Sequence, residues 1–232
     1  MKLLLKKKKM NRTIFSFLLF IFLINPASIH SEQNQGLTSE NLALKIEAKY
    51  NSLKTLSTSF EQEIKSPDFS TLRKFKGKMY LKNPNKFRIE ISSQVVVSDG
   101  EYIWVYSEEN KQVTKNMVKK SSKFFRPNDY LFNFRKNYHY KLEGEEKIGK
   151  SIYYKMVYIS KSEVEFFRKI IVFFEKENLL VKRIEYLDQN ENYTTLSFRN
   201  IKVNLNLSDS KFVFKPPKGV ELVDLTELGG NR

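Results

Sequence analysis

The sequence predicts a mainly β protein: an antiparallel sheet, decorated by a few helices, with one heavily apolar face. Three observations carry this reading. Beyond Leu56 apolar and polar residues alternate with period two almost to the end, the pattern of strands with one face buried and one wet. Turn-forming residues punctuate that alternation at short, nearly regular intervals, which fits one continuous meander better than two domains. Finally, 41% of the 232 residues are hydrophobic and 14% aromatic, enough for a sizeable core, even though Lys and Arg outnumber the acids 41 to 26.

The first thirty or so residues read as an address. Lys6 to Lys9 and Arg12 form a basic region, Ile14 to Ile24 an apolar stretch of eleven residues, and Pro26 to Ser31 a polar stretch ending in small residues. This is the layout of a secretory signal peptide over residues 1–31, cleaved after Ser31. A retained anchor is the alternative, although a membrane span needs roughly 20 apolar residues. Without residues 1–31 the chain keeps 35 basic and 26 acidic residues, a net charge of +9. A cationic exported protein meets anionic lipid headgroups, envelope polyanions or an acidic partner more often than nucleic acid. The absence of Cys removes disulfides, thiolate metal sites, cysteine nucleophiles and a lipid-modified N-terminal cysteine together.

The mature chain opens on a helix. Leu42, Ile46, Tyr50 and Leu53 recur at three- and four-residue spacing, with Thr38 or Ser39 placed to cap and Glu40 at the positive end. Strands follow. Phe75, Gly77, Met79 and Leu81 face one way and Lys76, Lys78, Tyr80 and Lys82 the other; after Pro84, Phe87, Ile89 and Ile91 alternate with Lys86, Arg88 and Glu90. Gln94–Val97 and Tyr102–Tyr106 flank Asp99-Gly100, a tight-hairpin dipeptide. Further strands are expected at Tyr138–Leu142, Ile152–Ile159, Phe167–Phe174, Val181–Leu187, Tyr193–Val203 and Lys211–Lys215, with turns at Glu143-Gly144, Ile148-Gly149, Lys176 to Asn178 and Asp188 to Asn190. Between Ser121 and Phe134 a short second helix is expected, begun by Pro127 and richer in aromatics than its own base requires.

Enzymatic chemistry lacks material. Beyond residue 31 there is one histidine, His139, within an aromatic strand, and there is no nucleophile elbow, phosphate-binding glycine loop or dinucleotide fingerprint. Glu108-Glu109, Glu145-Glu146 and Glu163/Glu165 read as solvated turns beside basic residues rather than as a hydrolytic dyad. No catalytic residue, metal ligand or cofactor is expected. Strand lysines with aromatics between them resemble a single-strand nucleic-acid platform, yet the alternation puts bases and most aromatics on opposite faces, so no nucleic-acid role is expected. What survives is a sheet whose apolar face two helices do not obviously cover; a filled core and a lipid cavity both remain open on physics alone.

Four pieces in order break that tie. Phe60-Glu61-Gln62, the strand from Gly77 to Ile89 with Asn83-Pro84 inside it, the hairpin from Val97 to Tyr106 and the ending from Lys211 to Val220 together resemble the LolA family of periplasmic outer-membrane lipoprotein carriers, over essentially residues 32–232 as a single domain. The resemblance implies an incomplete, strongly curved antiparallel β-barrel with helices covering an apolar cavity for acyl chains. It implies a periplasmic chaperone without catalysis, loaded with triacylated lipoproteins by an inner-membrane ABC-type exporter and unloaded to an outer-membrane acceptor. Carried over, Phe75, Met79, Leu81, Phe87, Ile89, Ile91, Trp104 and Tyr106 are the cavity residues, with core packing the alternative for Trp104. Phe124, Phe125, Tyr130, Leu131 and Phe134 are the lid. Asn83 stands where many members have an arginine thought to bond the closing helix, so Asn83 and Arg88 are the closure and release residues. A monomer is expected, since a transfer cycle needs an accessible mouth. The acceptor of the pathway carries an N-terminal cysteine this chain lacks. A carrier of another envelope lipid, or a lipid-stress sensor binding a membrane regulator, is the alternative.

Overall fold

Thr38 begins the first helix as its residue type suggests: its backbone is extended and its Oγ1 accepts the Asn41 N–H at 3.1 Å. Helix α1 (Ser39–Ser52) then buries Leu42, Ala43, Ile46 and Tyr50 along one stripe. Tyr50 is its anchor. The ring meets Phe174 edge-on at 6.2 Å, and the hydroxyl accepts the Val181 N–H at 2.7 Å, pinning α1 to the sheet. The computed structural model describes residues 37–67, 72–120, 134–163 and 165–226, all in the compact unit that begins at Gly36. The signal-peptide stretch and most of the lid expectation (Phe124, Phe125, Tyr130 and Leu131) lie outside the described residues. Phe134 opens the short helix α2 (Phe134–Asn137).

The sheet has twelve strands: β1 (Thr55–Lys65), β2 (Arg73–Lys82), β3 (Lys86–Ile91), β4 (Gln94–Ser98), β5 (Tyr102–Ser107), β6 (Gln112–Met117), β7 (Tyr138–Ile148), β8 (Ser151–Ser160), β9 (Phe167–Glu175), β10 (Val181–Asp188), β11 (Tyr193–Val203) and β12 (Glu221–Asp224). Their order is β12-β6-β5-β4-β3-β2-β1-β11-β10-β9-β8-β7, antiparallel throughout except where β12 runs parallel to β6. The expected single meander is therefore two, β1 to β6 and β7 to β11, joined where β1 pairs with β11. Apolar pairs across that seam, Phe60 with Phe198 and Leu56 with Val203, explain why the two halves meet there.

Three local expectations are corrected. Glu143-Gly144 is not a turn but a register shift inside β7, where one extra residue bends the edge strand. Lys211–Lys215 is not a strand; a 3-10 turn over Asp209–Phe212, capped by Ser208, folds Phe212 inward. Strands β6 and β12 were not anticipated, because QVTKNM and ELVD hold too few apolar residues to show a period. The Asp99-Gly100 hairpin is as expected, with Asp99 Oδ1 accepting the N–H groups of Glu101 and Tyr102 at 2.8 Å each and Gly100 at φ +102°.

Register sorts every strand into two faces. The inner face carries Leu56, Phe60, Met79, Leu81, Phe87, Ile103, Met156, Tyr158, Ile170, Val172, Phe174, Ile184 and Phe198, which form the main core with α1. The outer face of β4 to β6 is covered too. Val97, Val113 and Phe212 are wholly buried yet stand apart from the main core, and Phe214 lies against Tyr106 at 6.2 Å between ring centres. The segment after β11 is held against the outer side of β2 and β3 by Asp209, paired with Lys82 at 2.8 Å and Lys86 at 3.1 Å, and by Lys211 Nζ, 3.8 Å above the Tyr80 ring.

Candidate functional site: an apolar cavity on the inner face

Ile89 of β3 and Phe167 of β9 lie five strands apart in the sheet order, which in a flat sheet would separate them by about 24 Å. Both line one cavity, so the sheet curls around it to bring them together. The cavity holds about 280 Å³ and is lined by Phe60, Gln62, Met79, Ile89, Phe166, Phe167, Tyr186, Leu196 and Phe198. Every wall strand from β3 through β9 contributes, and no α1 residue does. The volume falls just below the range of small-ligand pockets, roughly 300–1,000 Å³.

The wall is closely packed at its base and exposed at its rim. Gly77 lies beside the Phe60 ring, so close that a Cβ there would sit 2.5 Å from Phe60 Cζ; only glycine leaves room for the ring. Phe167 packs on Tyr186 at 4.3 Å between ring centres and edge-on to Phe166 at 4.8 Å. Phe166 itself is 51% exposed and forms the lip. Burial is the main cause pushing the Tyr186 hydroxyl above its ordinary pKa, so at neutral pH it is a protonated donor.

Of the residues the sequence nominated for the cavity, Met79 and Ile89 line it. Phe75 is half-buried on the same face, paired in register with Gln62. Leu81 and Phe87 lie deeper, 3% and 2% exposed, packed into the main core beside α1, and Ile91 packs against that core. Trp104 and Tyr106 require correction. Met79, Ile89, Val96 and Val105 pair in sequence across β2 to β5, which leaves Trp104 and Tyr106 on the opposite, outer face. There Trp104 lies 5.8 Å from the Tyr102 ring and Tyr106 meets Phe214. The cause is that β5 is buried on both faces, so YIWVY shows no alternation to choose between them.

Arg88, expected with Asn83 to act in closure and release, lies on the outer face. It points outward, ion-paired with Glu90 on its own strand and donating to the Lys211 carbonyl at 3.4 Å. Asn83 ties the β2–β3 turn to the end of α1: its side-chain amide donates to the Leu53 carbonyl and its backbone N–H to that of Lys54 at 3.0 Å. The cation that does bridge helices is Arg135 of α2, bonded to Glu40 at 2.6 Å and Glu47 at 2.7 Å on α1. Sequence reasoning did not nominate it, nor Phe60, Gln62, Phe166, Phe167, Tyr186, Leu196 or Phe198 as lining. The alternation of β10 and β11 places three of these on one face and was the available signal. The carboxylates set aside as solvated are partnered with cations where Glu145 meets Lys176 at 2.6 Å and Glu146 meets Arg183 at 3.2 Å.

Comparison with known proteins points one way. A family model described as outer membrane lipoprotein carrier protein LolA matches residues 51–215. An outer-membrane lipoprotein carrier protein of Legionella pneumophila (strain Lens) is 30% identical over 220 residues, covering 92% of this chain and 99% of its own. One from Wigglesworthia glossinidia brevipalpis is 30% identical over 221 residues, covering 94% and 97%. Among solved structures, an uncharacterized conserved protein from Thermus thermophilus is similar in fold, with a TM-score of 0.55 at 16% identity, covering 78% of this chain and 98% of that one.

Proposed function

The chain belongs to the LolA family of outer-membrane lipoprotein carrier proteins, and on that premise we propose that it carries lipoproteins by holding their acyl chains in the inner-face cavity. The observation that supports this most is the cavity's wall: seven of its nine lining residues are wholly apolar, and the wall spans six neighbouring strands. Each methylene withdrawn from water is worth about 0.8 kcal/mol, so one long acyl chain gains on the order of 10 kcal/mol from such a wall. A volume of about 280 Å³ does not take a triacyl anchor without the wall yielding, and the half-exposed Phe166 lip is where it yields.

In this reading the protein works in the periplasm after removal of residues 1–31. It receives cargo from an inner-membrane ATP-driven exporter, surrenders it to an outer-membrane acceptor, and acts as a monomer. Its work is binding and release, with no bond made or broken. The test is mass spectrometry of what co-purifies, without detergent, with the tagged protein recovered from a Gram-negative periplasm. Triacylated lipoproteins are expected. Free phospholipid or glycolipid alone would replace the cargo while keeping the cavity, and an empty protein joined to a membrane regulator would replace the function.

A further inference from the structure

The cavity carries a polar step in an otherwise apolar wall. Among its nine lining residues, polar side-chain atoms belong to Gln62 and Tyr186 alone. They stand on β1 and β10, with β11 between them, and converge: Gln62 Nε2 lies 3.5 Å from the Tyr186 hydroxyl. Register explains the convergence. Gln62 pairs with Leu196 and Tyr186 with Thr194, two residues apart on β11, so the two side chains meet on a diagonal of the same face. Thr194, directly across from Tyr186 in register, is itself 3% exposed, so this part of the wall is closed to water.

Height along the wall matters as much as convergence. Gln62 is two residues beyond Phe60 on β1, about 7 Å nearer the end of the strand where the wall opens. Phe60, Met79 and Phe198 lie on the deep side, 8%, 4% and 1% exposed, while Phe166 at the rim is about half exposed. A chain entering tail first therefore passes its last methylenes at the level of Gln62. An amide in an apolar wall costs free energy unless bonded, and one bond at the 3.5 Å limit leaves most of its donor capacity unspent. Among the described residues no Lys, Arg or His lines the cavity, so a carboxylate or phosphate at that depth would be buried without a counter-ion. An uncharged carbonyl fits.

We propose that Gln62 and Tyr186 form a carbonyl-reading step that donates hydrogen bonds to the ester oxygens of a diacylglyceryl group, setting the depth to which its acyl chains descend. This rests on the lipid-carrier reading and specifies what that site recognises. Lipoprotein anchors and phospholipids share the glyceryl ester, and the experiment separates them.

The experiment titrates the full-length exported protein with three probes: a dipalmitoylglyceryl-cysteine peptide, its dialkyl ether counterpart without carbonyls, and phosphatidylglycerol. Gln62→Met and Tyr186→Phe keep side-chain volume and remove the donors. Wild type is expected to favour ester over ether by about five- to thirtyfold, the value of one or two net hydrogen bonds. Each variant should lose that preference, read as the ratio of ester to ether affinity within the same protein, so that any general change in wall affinity cancels. Tight binding of both ester probes assigns the step to glyceryl esters in general; tight binding of the peptide alone assigns it to lipoprotein anchors. Equal wild-type affinity for ester and ether, or an ester preference that survives in both variants, overturns the step and leaves the carrier intact. Failure of wild type to bind any of the three overturns the carrier reading itself, and the step with it.

Discussion

Replacing Gly77 by Ala tests the base of the cavity wall with a single methyl group. An ideal Cβ at this position lies 2.5 Å and 2.7 Å from Cζ and Cε1 of Phe60 and closer still to the backbone carbonyl oxygen of Glu90. Comfortable carbon–carbon separation is about 3.5–4.0 Å, so the Phe60 ring must retreat by roughly 1 Å and β3 must shift as well. The cavity that Phe60 lines gives its ring room to move, whereas the Glu90 carbonyl belongs to a paired strand and yields less. Overpacking of this kind costs about 1–3 kcal/mol, which for a domain of this size lowers Tm by about 2–12 °C. Urea denaturation should show a lower midpoint at unchanged slope. Phe60→Leu in the Gly77→Ala background should recover part of the loss, since the Glu90 clash persists. A Gly77→Ala protein that melts within about 1 °C of wild type would refute the argument that close approach dictates glycine here.

Further outcomes follow from the sorting of side chains between core, cavity and outer layer. Phe87→Glu, at 2% exposure in the close-packed core, should prevent stable folding, whereas Ile89→Glu, two residues along on the cavity wall, should fold and lose lipid binding; circular dichroism with a lipid titration separates the two. Trp104, on the outer face, should keep its emission spectrum at saturating lipid, and a marked shift on loading would place it back in the cavity. Phe212→Ala, which removes a wholly buried ring outside the main core, should cost about 3–5 kcal/mol and leave cavity affinity largely intact, as thermal melting and a lipid titration would read. Hydrogen bonds from Lys82 and Lys86 hold the Asp209 carboxyl below its ordinary value of 3.8. A depressed carboxyl contributes stability above the unfolded pKa and loses it as pH falls through the folded one. Acidification below about pH 4 should therefore lower the wild-type melting temperature more than that of Asp209→Asn.

Much of this molecule was legible in order. The Thr38 cap, the apolar stripe of α1, the Asp99-Gly100 hairpin and the alternation of β2 and β3 depend on neighbours a few residues apart, and local spacing carries them. The inward facing of Met79 and Ile89 belongs to that class. The four sequence pieces from Phe60 to Val220 likewise pointed to the family in which the chain belongs. Three things did not travel that way. Alternation is silent where both faces are covered, so the outward placement of Trp104 and Tyr106 follows only from the register that pairs β2 through β5, with Phe214 lying against Tyr106. It says which side of a strand is apolar but not how far along the strand a cavity begins, so Phe87 and Ile89, identical in pattern, part company between core and wall. And it cannot bring Gln62 of β1 to Tyr186 of β10. That meeting needs the pairing of β1 with β11 and the curl of the sheet, contacts between residues 124 positions apart whose geometry no local period encodes.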